Sequence, residues 1–137
     1  MILADVMDEI GDVAETIPGL HVYRWPVDEA TPPAAWPTYP VELGVLGSFQ
    51  RGTMRWQGGL IVAVGRIWDR ATRDQLSKYV SDDGPESITA AFYAHDWQAC
   101  AYAQPVRWRP DAINLAGVDL MAAVLDLDIA GPGLREG

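Results

Sequence analysis

The sequence has few of the residues that usually build a catalytic or metal site. Among its 137 residues are one cysteine, Cys100, and two histidines, His21 and His95. A lone cysteine excludes an intrachain disulfide and a thiolate cluster within one chain, and we expect Cys100 to be a packed thiol. The histidines match no HxH, HxxxH or HExxH spacing, so the sequence indicates structural or surface roles for both and no metal site.

Positive charge is scarce as well. The chain has a single lysine, Lys78, and a formal net charge of −9. Because phosphate binding needs clustered cations, this composition argues against a protein that wraps nucleic acid. No apolar run approaches the ~20 residues that span a bilayer, and the first residues lack the basic region and long apolar run of a signal peptide. We therefore expect the chain to be made in the cytoplasm.

The familiar motifs of catalysis are missing too. No serine lies in a GxSxG elbow, and no glycine run forms a phosphate loop. Two pairs of carboxylates, Asp82 with Asp83 and Asp126 with Asp128, have the chemistry for acid–base work or for binding a divalent cation. A helix-terminal turn and a solvated strand face explain these pairs more simply. The sequence thus predicts no enzyme, no metal and no cofactor.

What the sequence does have is enough apolar material for a core. Hydrophobic residues make up 49% of the chain and charged residues 21%, which is typical of a folded domain. We predict a single domain over residues 1–131 and a flexible C-terminal tail over 132–137.

Hydrophobic periodicity predicts three helices, over residues 2–17, 70–80 and 87–94. We expect Asp69 to cap the second helix and Ser87 to cap the third. The first helix has apolar residues at spacings of three and four, with acidic residues between them. The acidic residues predict a solvated face, and the alternative is a docking face for a basic partner. They are Asp5, Asp8, Glu9, Asp12 and Glu15.

Several segments are rich in β-formers or alternate in polarity, and we interpret them as strands. They are 20–25, 41–46, a long strand ending near Ile67, 102–109 and 118–129. Pro105 makes 102–109 an edge or bulged strand. The order of helix, three strands, two helices and two strands predicts an α+β fold. We expect a mostly antiparallel β-sheet with the N-terminal helix and the two central helices packed on one side.

Two loops and a helix face supply the candidate interaction residues. Prolines hold residues 26–40 extended around Trp36 and Tyr39, which either pack back on the domain or reach a neighbouring subunit. A predicted hairpin over 48–58 carries local positive charge that could face a carboxylate of another subunit. The candidate interface residues are Pro32, Pro33, Trp36, Tyr39, Arg51, Met54, Arg55, Trp56, Arg70 and Arg73.

The segment VGRIWDRATRDQLSKYV at 64–80, followed by DGPESITAA at 83–91, resembles the tail terminator (tail completion) proteins of long-tailed siphophages of actinobacteria. The opening helix, TPPAA at 31–35 and INLAGVD at 113–119 share the resemblance in the same order, so it covers most of the chain. The sequence departs from the family at 97–101, where a glycine-containing segment is more usual, and at the tryptophan-bearing strand over 107–109.

The resemblance implies a non-enzymatic virion protein at the head-proximal end of the phage tail. Such proteins form a homo-hexameric ring on the last ring of the tail tube protein, stop tube polymerisation and present a surface to the head-tail connector or head-closure protein. DNA passes through the lumen without specific binding, and we expect part of the negative charge to line it, since clustered acids repel phosphate. The alternative is another neck protein, such as a head-closure or tail-completion adaptor, or a tube-related subunit.

Overall fold

The computed structural model describes residues 1–45 and 53–132, except for the side chains of residues 41–45, 53, 54 and 132. In this part of the chain the elements are α1 (Leu3–Glu15), β1 (His21–Val22), β2 (Ala34–Val45), β3 (Thr53–Arg66), α2 (Arg70–Val80), α3 (Ile88–Ala94), β4 (Tyr102–Leu115) and β5 (Val118–Pro132). The element order and the antiparallel pairings β2–β3, β3–β5 and β4–β5 confirm the predicted α+β fold.

The described strands form a sheet in the order β1-β2-β3-β5-β4. Alternate residues of β3 face the helices, and they pack with Leu125 and Leu127 of β5 and with buried side chains from α1, α2 and α3. The helices therefore cover one face of the sheet, as the sequence predicts. The β3 residues on this face include Trp56, Leu60, Val62 and Val64.

The other face of the sheet has a smaller apolar cluster at one end. It contains Ala34, Trp36, Ala63 and Leu120, and residues from the segment between β1 and β2 pack against it. The segment between β1 and β2 covers this cluster, as the helices cover the opposite face of the sheet. The remainder of the face is polar.

The helix boundaries follow local sequence signals. Val6, Ile10 and Val13 form the buried stripe of α1, and Gly19, with a φ of 76°, turns the chain towards β1. The Ser87 side chain accepts a hydrogen bond of 3.0 Å from the Ala90 N–H, so this predicted cap is confirmed. Asp69 precedes α2 as predicted, but its side chain makes no capping hydrogen bond.

The predicted loop over 26–40 is partly wrong, because β2 begins at Ala34. β1 pairs with only the first two residues of β2, so within the described sheet the outer side of β2 beyond them has no neighbouring strand. Pro37 can lie in β2 because its missing N–H faces the side that has no neighbouring strand, and Pro40 can because it falls in the irregularity between Thr38 and Glu42.

The C-terminal hairpin is longer than predicted. β4 extends beyond the predicted end at residue 109 to Leu115, and the two residues Ala116 and Gly117, with φ values of 51° and 85°, connect it to β5. β4 is an edge strand with an irregularity between Pro105 and Arg107, as predicted. Since β5 ends at Pro132, the rest of the predicted tail, 133–137, lies outside the described residues.

Candidate functional site

The predicted interface residues do not form one surface. Arg51 lies outside the described residues, and for Met54 only the backbone is described, in β3. Pro32 and Pro33 are half-buried. The exposed members are Tyr39, Arg55, Arg70 and Arg73.

Trp36 and Trp56 are core residues. For Trp36 this favours the alternative that it packs back on the domain, and for Trp56 it corrects the prediction of a contact with a neighbouring subunit. Each side chain is only 3% exposed. Trp36 packs in the smaller cluster on the face opposite the helices, and Trp56 packs beneath the helices. Hydrophobic residues in a strand fit a core or an interface equally well, so the sequence could not separate the two roles.

Arg55 has its carboxylate partner within the same chain. Its Nε and Nη2 atoms donate to Asp128 at 3.0 and 2.8 Å, and this pairing lowers the pKa of the Asp128 carboxyl below its ordinary value. Arg109 makes a matching two-bond pair with Asp126, both bonds at 2.9 Å. These pairs cross neighbouring strands on the polar sheet face. They correct the expectation that Arg55 is free to face a carboxylate of another subunit.

A buried carboxylate, Glu9, joins the first helix to a late part of the chain. The sequence places Glu9 on a solvated face, but it is only 8% exposed. Its Oε1 accepts a hydrogen bond of 2.7 Å from the Ala99 N–H, and its Oε2 accepts one of 2.9 Å from the Gln98 N–H. His95 Nε2 lies 2.6 Å from Oε2. The predicted structural role of His95 therefore includes holding α1 against the segment 95–99.

Burial and hydrogen bonding act in opposite directions on Glu9. Burial raises the pKa of its carboxyl, but the Ala99 N–H, His95 and the Gln98 N–H lower it, and the net pKa is below the ordinary value of 4.5. Burial first, and the Glu9 charge second, raise the pKa of the Cys100 thiol to about 11. Cys100 is thus the packed, unreactive thiol that the sequence predicts.

Acidification is expected to remove the stability that ionised Glu9 contributes. Because the pKa of Glu9 is lower in the folded chain than in the unfolded chain, this contribution is complete above about pH 4.5 and is lost as the pH falls through the folded pKa. Urea unfolding of the wild type and Glu9→Gln at about pH 7 and at about pH 3.5 measures it. The difference in the free energy of unfolding between the two proteins should shrink at the lower pH. A constant difference would contradict this assignment.

A cleft of about 650 Å³ opens where α2 meets the end of β3 and the start of β5. Pro32 and Pro33 line it together with Val64, Thr72 and Tyr79. α2 lies close to β3 because Gly65 has no side chain: a Cβ there would be 2.6 Å from Thr72 Oγ1. The cleft therefore brings two of the predicted interface residues next to the segment that carries the family resemblance.

The Tyr79 hydroxyl is the polar group of this cleft without a good partner. It is buried, and it forms no hydrogen bond of acceptable geometry with the described residues. Burial raises the pKa of Tyr79, and the nearby Gln75 side chain offsets part of that shift without being aligned for a hydrogen bond.

Beside the cleft, the turn between β3 and α2 exposes a tryptophan that the sequence did not single out. Trp68 is 91% exposed, more than any other large apolar side chain in the described ranges. Its neighbours in the turn include Arg66 and Arg70, which are also exposed. Tryptophan and arginine are the residue types most enriched at binding hot spots. We define residues 66–70 as the Trp68 turn.

Comparison with known proteins adds no family assignment, since no protein-family model and no curated protein matches the chain. Among the described residues, no group of three or more His, Cys, Asp or Glu side chains is placed to hold a metal ion. None of the helices in the same residues combines the length and hydropathy needed to cross a membrane.

Proposed function

We propose that the chain is a tail terminator of a long-tailed bacteriophage. In this role it forms a hexameric ring at the head-proximal end of the tail tube, stops tube polymerisation and provides the surface that joins the tail to the head connector. The observation that carries the proposal is the run from Val64 to Ala91, which resembles this family and which forms the end of β3, then α2, a turn and the start of α3.

The run from Val64 to Ala91 contains both buried residues and exposed residues. Tyr79 and Ile88 are fully buried and help to fix α2 and α3 on the sheet. Trp68, Arg70 and Arg73 remain exposed. The run thus combines a rigid frame with an exposed surface, which an assembly protein needs in order to present contacts without reorganising.

The edge strand β4 limits how copies of the chain can associate. Pro105 and Pro110 have no N–H, so neither can donate to a strand added at this edge. The β4 edge therefore cannot template a continuous ladder, which protects the chain against open-ended edge-to-edge growth. We expect subunits of the ring to associate through side-chain contacts.

The charge of the chain suits a ring that conducts DNA. A hexamer of chains with a net charge of −9 each would repel phosphate strongly. The described arginines of the polar sheet face are already paired with Asp126 and Asp128. These pairings support passage of DNA without specific binding.

A tube-capping experiment tests the proposed function. The tail tube protein of the same phage is polymerised with and without the purified chain, and tube lengths and ends are measured by negative-stain microscopy. We expect shorter tubes with an added ring at one end, because a bound terminator blocks subunit addition there. An unrelated acidic protein of similar size is the control. Unchanged tube lengths with bare ends would reject the proposal, and binding to the head-closure protein alone would indicate a different neck protein.

A further inference from the structure

We propose that neighbouring copies of this chain dock through the Trp68 turn of one copy and the N-terminal half of α1, residues 2–8, of the next. The inference rests on the proposed function in one respect, since it names the contact that would close the ring. It draws on features that the resemblance does not assign: unpaired charges, exposed apolar side chains and their positions at the two ends of the sheet.

The Trp68 turn has a net positive charge, because it contains Arg66 and Arg70 but only one carboxylate, the exposed Asp69. Arg66 and Arg70 make no ion pair with any described residue. The other described lysine and arginine side chains, Arg24, Arg55, Arg73, Lys78, Arg107 and Arg109, all do. An acidic chain that leaves two arginines unpaired beside a 91% exposed tryptophan presents an apolar anchor flanked by cations.

The N-terminal half of α1 has the complementary character. Asp12 and Glu15, in the second half, each accept a hydrogen bond of 2.8 Å from Arg24. Asp5 and Asp8 are exposed and make no ion pair in the described part of the chain. They are three residues apart and so lie on the same side of the helix. Ile2, which is 64% exposed, adds an apolar contact next to them.

The start of α1 and the Trp68 turn lie at opposite ends of the sheet, and Asp8 lies near the middle of α1, a helix of about 20 Å. A Cβ on Gly131 would be 2.9 Å from the Met1 side chain, and Gly131 pairs with Met54 near the start of β3. The Trp68 turn directly follows the end of β3. A strand of 14 residues is roughly 40 Å long, so the two surfaces cannot meet within one copy. They can meet between copies in head-to-tail order, and a heterologous contact of this kind produces a ring when the rotation closes.

The acidic pair Asp28 and Glu29 is a less suitable partner for the arginines. It lies in the segment that leads to Pro32, and Pro32 lines the same cleft as Arg66. The pair is therefore at the same end of the molecule as the Trp68 turn. A contact between two surfaces at the same end can form twice between one pair of copies, and such a pair is a closed two-fold dimer instead of a ring.

Two variants separate the halves of the proposed contact. The turn variant is Arg66→Ala/Trp68→Ala/Arg70→Ala, and the helix variant is Asp5→Asn/Asp8→Asn. Every substituted side chain is exposed, so both variants should fold, which circular dichroism checks. Each variant keeps one intact half. Neither should self-associate, but a mixture of the two should form a one-to-one dimer. The matched controls are Lys78→Ala/Arg107→Ala and Asp28→Asn/Glu29→Gln.

Sedimentation velocity at low and high salt supplies the readout. We expect self-association of either variant to be at least about tenfold weaker than that of the wild type. The controls should behave as the wild type does, and salt should weaken the mixed dimer. Wild-type assembly by the turn variant, or no mixed dimer at low salt, would overturn the proposal.

If the turn variant still caps tubes, the interface is wrong and the proposed function stands. If the mixed dimer forms but the wild type does not cap tubes, the proposed function fails and the interface stands.

Discussion

Replacing Glu9 by alanine is expected to lower the free energy of unfolding by about 2–3 kcal/mol. The substitution removes the acceptor for the Gln98 and Ala99 N–H groups and the charged partner of His95. Hydrogen bonds to a charged group are stronger than neutral ones, and donors left behind in a largely closed site keep their desolvation cost. Urea unfolding near neutral pH, where Glu9 is ionised, measures the loss.

Asp8→Ala is the matched control for Glu9→Ala. Asp8 is the preceding residue on the same helix, but it is exposed and makes no described ion pair. Its replacement should change the free energy of unfolding by no more than about 0.5 kcal/mol, as is usual for surface substitutions. Equal effects of the two substitutions would mean that Glu9 does not hold α1 to the segment 95–99.

Leu60→Ala should lower the free energy of unfolding by about 3 kcal/mol. Substitutions of this kind lower it by about 2–5 kcal/mol. Leu60 is fully buried in the central strand β3, opposite Leu125 of β5, on the face that the helices cover. Truncation removes apolar contacts and leaves a cavity in which the sheet and the helices cannot both relax. Denaturant midpoints at constant m value measure the effect.

Ile61→Ala tests whether the core is one-sided at this point of β3. Ile61 is the next residue, points to the opposite face and is only half-buried. We expect Ile61→Ala to lower the free energy of unfolding by about 1 kcal/mol, because Ile61 buries less apolar area than Leu60 does. If Ile61→Ala were as costly as Leu60→Ala, the helix-covered face would not be the main core.

The fold could be predicted wherever its signals are local. The apolar spacing of α1, the start of α2 at Arg70 and the Ser87 cap of α3 are all visible within a few residues. β2 was missed in part because prolines normally interrupt strands. They are tolerated there because β1 ends after two residues and because the β2–β3 register shifts around Pro40. Neither a sheet edge nor a bulge is a local property of the sequence.

The candidate surfaces were harder to predict because they depend on distant contacts. Glu9 lies three residues after Val6 and four before Val13, so its position next to the buried stripe was visible in the sequence. Its burial depends on Gln98 and Ala99, which no local pattern connects to it. Exposure of Trp68 is equally non-local. A tryptophan between a strand and a helix usually packs, and only the path of the chain leaves this one in solvent.

The contacts of Glu9 determine when α1 can dock as the chain folds. Of the described elements α1 is synthesised first, yet the groups that hold Glu9 are at 95–99 and the residue beside Met1 is Gly131. The stripe of α1 packs partly on earlier residues such as Ala35 and Leu60, but its full set of contacts requires residues 95–131, a contact of high sequence separation. Asp5 and Asp8 reach their final positions only then. A chain truncated before residue 95 would lack the partners of Glu9, and we expect its α1 to be held less firmly on the sheet.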